Sequence, residues 1–430
     1  MVLPVDPPRV AELEAALAEV GVTVDDGARV FGDLSGLHFA RLVVVPEGED
    51  GRAWLALETN FDGELAPHLD ELVARVVPRA RAAFACCRGF SLDDPRGSLL
   101  AGRLPERAFY LGHQGLTVET IQNDREVKRA LSDLLDDEIA GDPALLAEGA
   151  DPRPVMRRLL ERLARERPEL RTGDLPRPLH DAGGFHARLW GIALFVVALV
   201  LAGAALHPSG AWIVVALLLA PVAALAVALG LAERRDAAEI RDQPIRHYTR
   251  DELDRLATIG LIEDGSPQNA LTHLVTPKPG ALRASLLRFV LWGVDQLGKY
   301  VYRYGSLGAI PTIHFARWVI LDDGRLLFFS NYDGSWESYL GDFVDKANEG
   351  LTGVWSNTRE FPPTKLLVFG GARQEERFKV WTRRNQLVTQ VWYSAYPDLS
   401  VRNVHAAARL RELSVPTARR ALAREWLGLL

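Results

Sequence analysis

Two stretches of the chain alternate apolar and polar positions in the same order. Residues 34–73 read LSGLHFARLVVVPEGEDGRAWLALETNFDGELAPHLDELV, and residues 310–345 read IPTIHFARWVILDDGRLLFFSNYDGSWESYLGDFVD. Each opens with HFAR at the head of an apolar run, turns, runs apolar again, passes through Asn-aromatic-Asp-Gly and then changes to helical spacing. This predicts strands at 37–45 and 53–61 followed by a helix over 65–85, and strands at 313–321 and 326–332 followed by a helix marked by Trp336, Tyr339, Leu340, Phe343 and Val344. Downstream, 107–112 and 116–122 predict a hairpin around His113-Gln114-Gly115, closed by a helix over 125–135. The matching positions are strands at 378–382 and 387–393 and a closing helix over 399–413, with an additional strand at 365–369.

Each unit then has the order β-β-α-β-β-α, and we expect an internal duplication. The expected fold class is α+β, with two ferredoxin-like repeats. Helices cover only one face of each sheet, so the bare faces need a partner, and pairing as an intrachain α+β barrel supplies one.

Between the repeats the pattern loses its polar positions altogether. LWGIALFVVALVLAGAAL (189–206) and AWIVVALLLAPVAALAVALGL (211–231) carry no charge and are separated by His207-Pro208-Ser209-Gly210. Runs of about 18 or more apolar residues are long enough to cross a hydrocarbon core of roughly 30 Å, so the pair predicts a transmembrane hairpin; the alternative is a buried helix pair of a soluble fold. Pro221 is compatible with a membrane helix, and the small residues 202–205 would allow close approach. Arg188 precedes the first run and Arg234, Arg235 and Arg241 follow the second, while the link has no Lys or Arg. By the positive-inside rule both flanking segments face the cytoplasm, placing the protein in an inner or plasma membrane.

The chain therefore divides into an N-terminal helical segment (1–33, helix expected over 9–21), a first repeat (34–137), a linker with a helix (138–186), the hairpin (187–232), a connecting region (233–309) and a second repeat (310–430). Within the connecting region, residues 281–304 form an amphipathic helix with Trp292, Tyr300, Tyr302 and Tyr304; it either lies on the membrane surface or packs on the body. The linker ends in the Pro/Gly-rich stretch TGDLPRPLHDAGG. A net charge of −6 over 430 residues argues against a nucleic-acid surface. Cys86 and Cys87 are adjacent, which suits reduced structural thiols and no metal site. The N-terminus lacks the basic and apolar regions of a signal peptide. P-loop, GxGxxG, HExxH and GxSxG words are absent.

The candidate chemistry lies in what both stretches keep: His38 and His314, Arg41 and Arg317, Asn60 and Asn331, Asp62 and Asp333, Gly63 and Gly334. On a regular strand His38 and Arg41 face opposite sides, so a His–Arg pair within one stretch would need a bulge. Each Asp stands where a strand becomes a helix, suited either to capping the helix or to acid–base work at a pocket rim. His314, Arg317 and Asp333 are the catalytic candidates. The second stretch is richer in aromatics, so Trp318, Asn331, Tyr332, Trp336 and Tyr339 are the candidates for binding a large flat or lipid-like ligand.

A duplicated ferredoxin-like unit with an Asp-Gly turn resembles the dimeric α+β barrel superfamily, whose haem-binding branches include dye-decolorizing peroxidases and chlorite dismutase-like proteins. The peroxidase word GxxDG corresponds to Thr59-Asn60-Phe61-Asp62-Gly63 and Ser330-Asn331-Tyr332-Asp333-Gly334, both without the leading Gly. The resemblance implies haem as a possible cofactor, with His38 or His314 as candidate ligands, and a peroxidase-like activity as the alternative function. The preferred expectation is a membrane-anchored protein that binds an apolar or lipid-like ligand or serves as an accessory subunit. Its partners are then the lipid bilayer and a membrane or redox protein.

Overall fold

Two antiparallel sheets form the body, and each takes one strand from the other half of the chain. In the first, the hairpin β2 (Leu37–Val45) and β3 (Ala53–Phe61) has β1 (Val2–Val5) beside β3 and β11 (Val391–Ser394) beside β2. In the second, the hairpin β6 (Ile313–Ile320) and β7 (Leu326–Asp333) has β5 (Gln268–Val275) beside β7 and β4 (Glu106–Leu111) beside β6. A short β10 (Gln386–Leu387) extends this sheet outside β5, and β8 (Thr364–Lys365) and β9 (Phe369–Gly370) make a separate small hairpin. The exchanged strands sit in the same register: Trp392 of β11 is opposite Arg41, and Phe109 of β4 is opposite Arg317. This computed structural model describes residues 1–21, 23–142, 145, 150–173, 182–207, 209–241, 248–263, 267–302, 307, 310–417 and 419–430.

Strand alternation sorts the side chains into layers. Phe39, Val43 and Val45 of β2 face Phe315 and Phe329 of the other sheet, so the sheets pack face to face. Ala40, Leu42 and Val44 point the other way, onto helices Val10–Ala18 and Val24–Phe31 and the helical segment that follows β3. Ala316 and Trp318 likewise meet the helix Ala281–Tyr300 together with Trp336, Tyr339 and Phe343. With both faces covered, all nine residues of β2 are buried, which is why LHFARLVVV reads as a nearly unbroken apolar run. A further cluster joins helices Val118–Gly141, Pro152–Glu166, Val401–Leu413 and Arg420–Leu427, with the Arg411–Asp124 ion pair buried between them.

Helices Ala182–Leu206 and Gly210–Arg241 contain the apolar segments Gly184–Ala205 and Trp212–Asp236, each long and apolar enough to span a membrane. They pack on each other and are not a buried central pair: Trp190 is 71% exposed and Trp212 75%. Pro208 of the connecting turn, most of the Pro/Gly-rich linker, and Arg303 and Tyr304 of the expected amphipathic helix lie outside the described residues.

Several expected elements differ. Residues 116–122 form no strand, because Thr117 caps the helix Val118–Gly141 by accepting from the Thr120 N–H. Residues 378–382 lie in the helix Glu375–Asn385, whose buried positions Phe378, Trp381 and Thr382 have helical spacing. The run 387–393 splits into β10 and β11, which belong to different sheets, and 365–369 is mainly the β8–β9 turn. Strands β1 and β5 were not expected, and with the small β8–β9 hairpin and β10 set aside each half runs β-α-β-β-α-β-α in place of β-β-α-β-β-α. The helix over 65–85 is interrupted, passing through a π-helical turn at Leu72–Val76 just before Pro78 and breaking again at Ala80. Cys86 and Cys87 are free and buried, and burial pushes the Cys87 thiol up to about 12.

Candidate functional site

The contact between the sheets is organised by two arginines that cross it in opposite directions. Arg41, on β2, donates to the carbonyl oxygens of Leu271 (3.0 Å) and Ser330 (3.2 Å) and to Asn331 Oδ1 (2.5 Å), and its Nε lies 2.8 Å from Glu58. Arg317, on β6, reaches back to Thr59 O and Asn60 Oδ1, both at 3.1 Å, with Glu106 at 3.2 Å and Glu58 at 3.6 Å. Burial pulls the Arg41 guanidinium below its usual pKa, against the Glu58 carboxylate, which raises it. Each guanidinium also lies over a phenylalanine ring, Arg41 over Phe329 and Arg317 over Phe109.

Beside the arginines lies a buried cluster of rings. The bulge required for His and Arg to share a space is present in both hairpins, between Leu37 and Phe39 and between Ile313 and Phe315. It turns His38 and His314 into the inter-sheet layer, where they meet His113 and Tyr396. The Tyr396 hydroxyl joins His38 Nδ1 (2.7 Å) to His113 Nε2 (3.2 Å). Asp62 takes His38 Nε2 at 3.0 Å and the N–H of Val118 at 2.8 Å; Asp333 takes His314 Nε2 and the N–H of Val401, both at 2.7 Å. Each carboxylate therefore holds a histidine with one oxygen and the first turn of a helix with the other, which satisfies donors that a helix start would otherwise leave open. Burial drives the His113 pKa well below the usual histidine range and the Tyr396 hydroxyl well above its own, so both are neutral near pH 7.

One side of the sandwich is closed, where the chain passes directly from β10 in one sheet to β11 in the other. The opposite side, between the edge strands β1 and β4, is open and forms a cleft of about 710 Å³. Leu57, Phe61, Leu65, Phe109, Leu111, Leu116, Phe315, Val319 and Phe329 give it apolar walls. Glu58, Asn60, Asp62, Arg317 and Glu106 supply its polar groups. A smaller cavity of about 270 Å³ lies on the closed side, lined by Ile259, Leu261, Asn269, Leu387 and Trp392, where β10 fills the seam.

Of the residues singled out from sequence, Arg317, His38, Asn60, Asp62 and Gly63 line the large cleft, and Asn331 belongs to the inter-sheet polar layer. Trp318, Tyr332, Trp336 and Tyr339 lie on the opposite face of the second sheet, in its core with the helices, and border none of the described cavities; Tyr339 donates to Ser330 Oγ at 2.7 Å. His314 and Asp333 pair with each other away from the cleft.

The residues do not fit a haem. Both ring nitrogens of His38 are engaged, by Asp62 and Tyr396, and His314 is fully buried among Phe39, His113, Tyr396 and Gln268, bordering no described cavity that would admit a macrocycle. Among the described residues no three His, Cys, Asp or Glu side chains converge as metal ligands. Sequence reasoning missed His113, Tyr396 and Glu58. The lone charge in AWLALETNF was a legible signal for Glu58, whereas His113 and Tyr396 come together only through the exchange of β4 and β11. No protein-family model, curated protein or solved structure matches this chain.

Proposed function

We propose that this is a membrane-anchored protein whose duplicated α+β body binds an apolar or lipid-like small molecule in the cleft between β1 and β4. The observation that carries the reading is the cleft itself. Its volume of about 710 Å³, apolar walls and few converging polar groups have the character of a small-molecule site. The two apolar segments support the anchor, and the arginines flanking them support a cytoplasmic body. The duplication, with the two halves closing on each other in a barrel-like manner, is supported by the matched strand orders, the reciprocal arginines, the paired bulges and the two His–Asp–helix contacts.

On this reading Arg317, Asn60 and Glu58 orient the polar end of the ligand while the phenylalanines enclose its body. Binding of a fluorescent fatty acid to the full chain in nanodiscs, against empty nanodiscs as baseline, tests this. The intact protein binds above baseline, and Leu65→Trp, which puts an indole into the cleft from its partly exposed wall, weakens binding by about tenfold or more, roughly 1.4 kcal/mol. Equal binding by both proteins refutes the assignment.

A further inference from the structure

The second apolar segment is tied to the body where it ends. Asp236 pairs with Lys278 at 2.7 Å and with Arg283, and Glu233, one turn nearer the apolar run, accepts the main-chain N–H of Leu366 at 2.8 Å. Leu366 and Leu367 form the turn between β8 and β9, and both hold left-handed backbone, with φ of 54° and 59°. Side chains other than glycine seldom adopt that conformation, and here two leucines do so in succession. The result is a division of labour: Leu367 is buried, while Leu366 is 52% exposed and Phe369 51%, with Val368 exposed beside them. On the other leg, Phe185 at the start of the first apolar segment stacks on Tyr300 with ring centroids 4.5 Å apart. The helix Ala281–Tyr300 runs between the two attachments and presents Leu282, Phe289 and Trp292 outward.

We propose that the β8–β9 turn is a membrane-inserted element, with Leu366, Val368 and Phe369 in the boundary between headgroups and acyl chains. The occupant of this apolar surface is the phospholipid bilayer, because the turn is bonded to the last turn of an apolar helical segment long enough to span it. At a rise of 1.5 Å per residue, Glu233 lies roughly 4–5 Å deeper than Asp236, which brings the turn to the depth of about 5–10 Å at which interfacial elements bury apolar side chains. Lys365, exposed at the base of the turn, is placed to meet lipid phosphates, as are Arg234 and Arg235 on the helix.

The inference rests on the membrane-anchor reading, and its test separates the two. The full chain carries a fluorophore on Val368→Cys, on Leu194→Cys within the first apolar segment, or on Asp93→Cys in the helical layer outside the first sheet. Each protein is reconstituted in vesicles of phosphatidylcholine and phosphatidylglycerol with or without bromine-labelled acyl chains; the unsubstituted chain gives the background from the buried Cys86 and Cys87. The expected result is strong quenching at 194, clear quenching at 368 and none at 93. Quenching at 194 without quenching at 368 overturns the inference and leaves the anchor standing, whether the label at 368 is solvated or covered by a second copy of the chain. Absence of quenching at 194 overturns both. A label on Phe369→Cys provides the same readout should the 368 variant fold poorly.

Discussion

Replacing Arg41 by methionine removes a fully buried cation from between the sheets. The change deletes hydrogen bonds to Leu271, Ser330 and Asn331 and leaves Glu58, itself only 4% exposed, with the Asn60 amide at 2.8 Å and Arg317 at 3.6 Å as its remaining partners. Breaking a buried pair from one side costs about 3–5 kcal/mol, mostly because the surviving charge stays desolvated. Glu58→Leu falls at or below the low end of that range, since Arg41 keeps four acceptors in the facing sheet, Thr272 Oγ1 at 3.3 Å among them. The double variant Arg41→Met/Glu58→Leu removes both charges and is far less destabilised than the sum of the singles, giving a coupling of about 2–3 kcal/mol. Arg317→Met costs about 1–2 kcal/mol, because its side chain is 18% exposed and water at the cleft can solvate what remains. Urea unfolding of the detergent-solubilised chain, followed by tryptophan fluorescence and far-UV circular dichroism, measures all four. Additive losses in the double variant, or a greater loss from Arg317→Met than from Arg41→Met, would refute the assignment of Arg41 and Glu58 as the central buried pair.

Acid should weaken the fold through its buried histidines. Burial lowers the His273 pKa from 6.5 to about 3 and His68 to about 4, so the unfolded chain takes up protons that the folded chain refuses. Their contribution is complete above pH 6.5 and declines as the pH falls toward those values. Asp124, raised to about 6 by burial, acts with the opposite sign in the same region, so His273→Leu is the informative comparison: its stability should fall less than that of the intact chain, by about 2 kcal/mol between pH 7 and 4.5. An identical pH profile for the two proteins counts against a neutral buried His273. Gly27→Ala tests the packing of helix Val24–Phe31 on β11, because an added Cβ would lie 1.7 Å from Trp392 O. A loss of more than about 2 kcal/mol is expected where helix propensity alone would give a gain of about 1 kcal/mol, and a stabilised variant would contradict the contact. Asp62→Ala and Asp333→Ala each remove a histidine partner and a helix-start acceptor, costing about 1–2 kcal/mol, with the larger loss at the more enclosed Asp333. Equal losses measured by urea unfolding would show that enclosure does not set the difference.

The strongest local signals were readable. Leu37–Val45 and Ala53–Phe61 occur as expected, because an apolar run bounded by turn residues leaves a β-hairpin few alternatives, and both apolar segments are helices. Weak elements were not readable: β1 has four residues and contains Pro4, which an edge strand accommodates. LTVETIQ alternates like a strand, yet the capping hydroxyl of Thr117 makes it a helix start. The bulges were recognised as a requirement but could not be located, since no turn residue marks them. The aromatic second stretch suggested a binding surface, and most of those rings fill the core under its helices. Which strand joins which sheet depends on pairings more than 200 residues apart, which no local pattern encodes, and that exchange creates both the ring cluster and the cleft.

The exchange of β4 and β11 also constrains how the protein is made. During synthesis the apolar segments at 184–205 and 212–236 emerge before β5, β6, β7 and β11 exist, so β4 has no sheet to join and the first sheet lacks an edge. Both apolar segments are therefore made before the body can be completed, and until the second half follows β2 lacks its β11 neighbour and β4 is unpaired. Once closed, neither half retains a complete sheet if the other unfolds, so the two melt together. A cut in the link between the apolar segments would leave two fragments still interlocked through their strands.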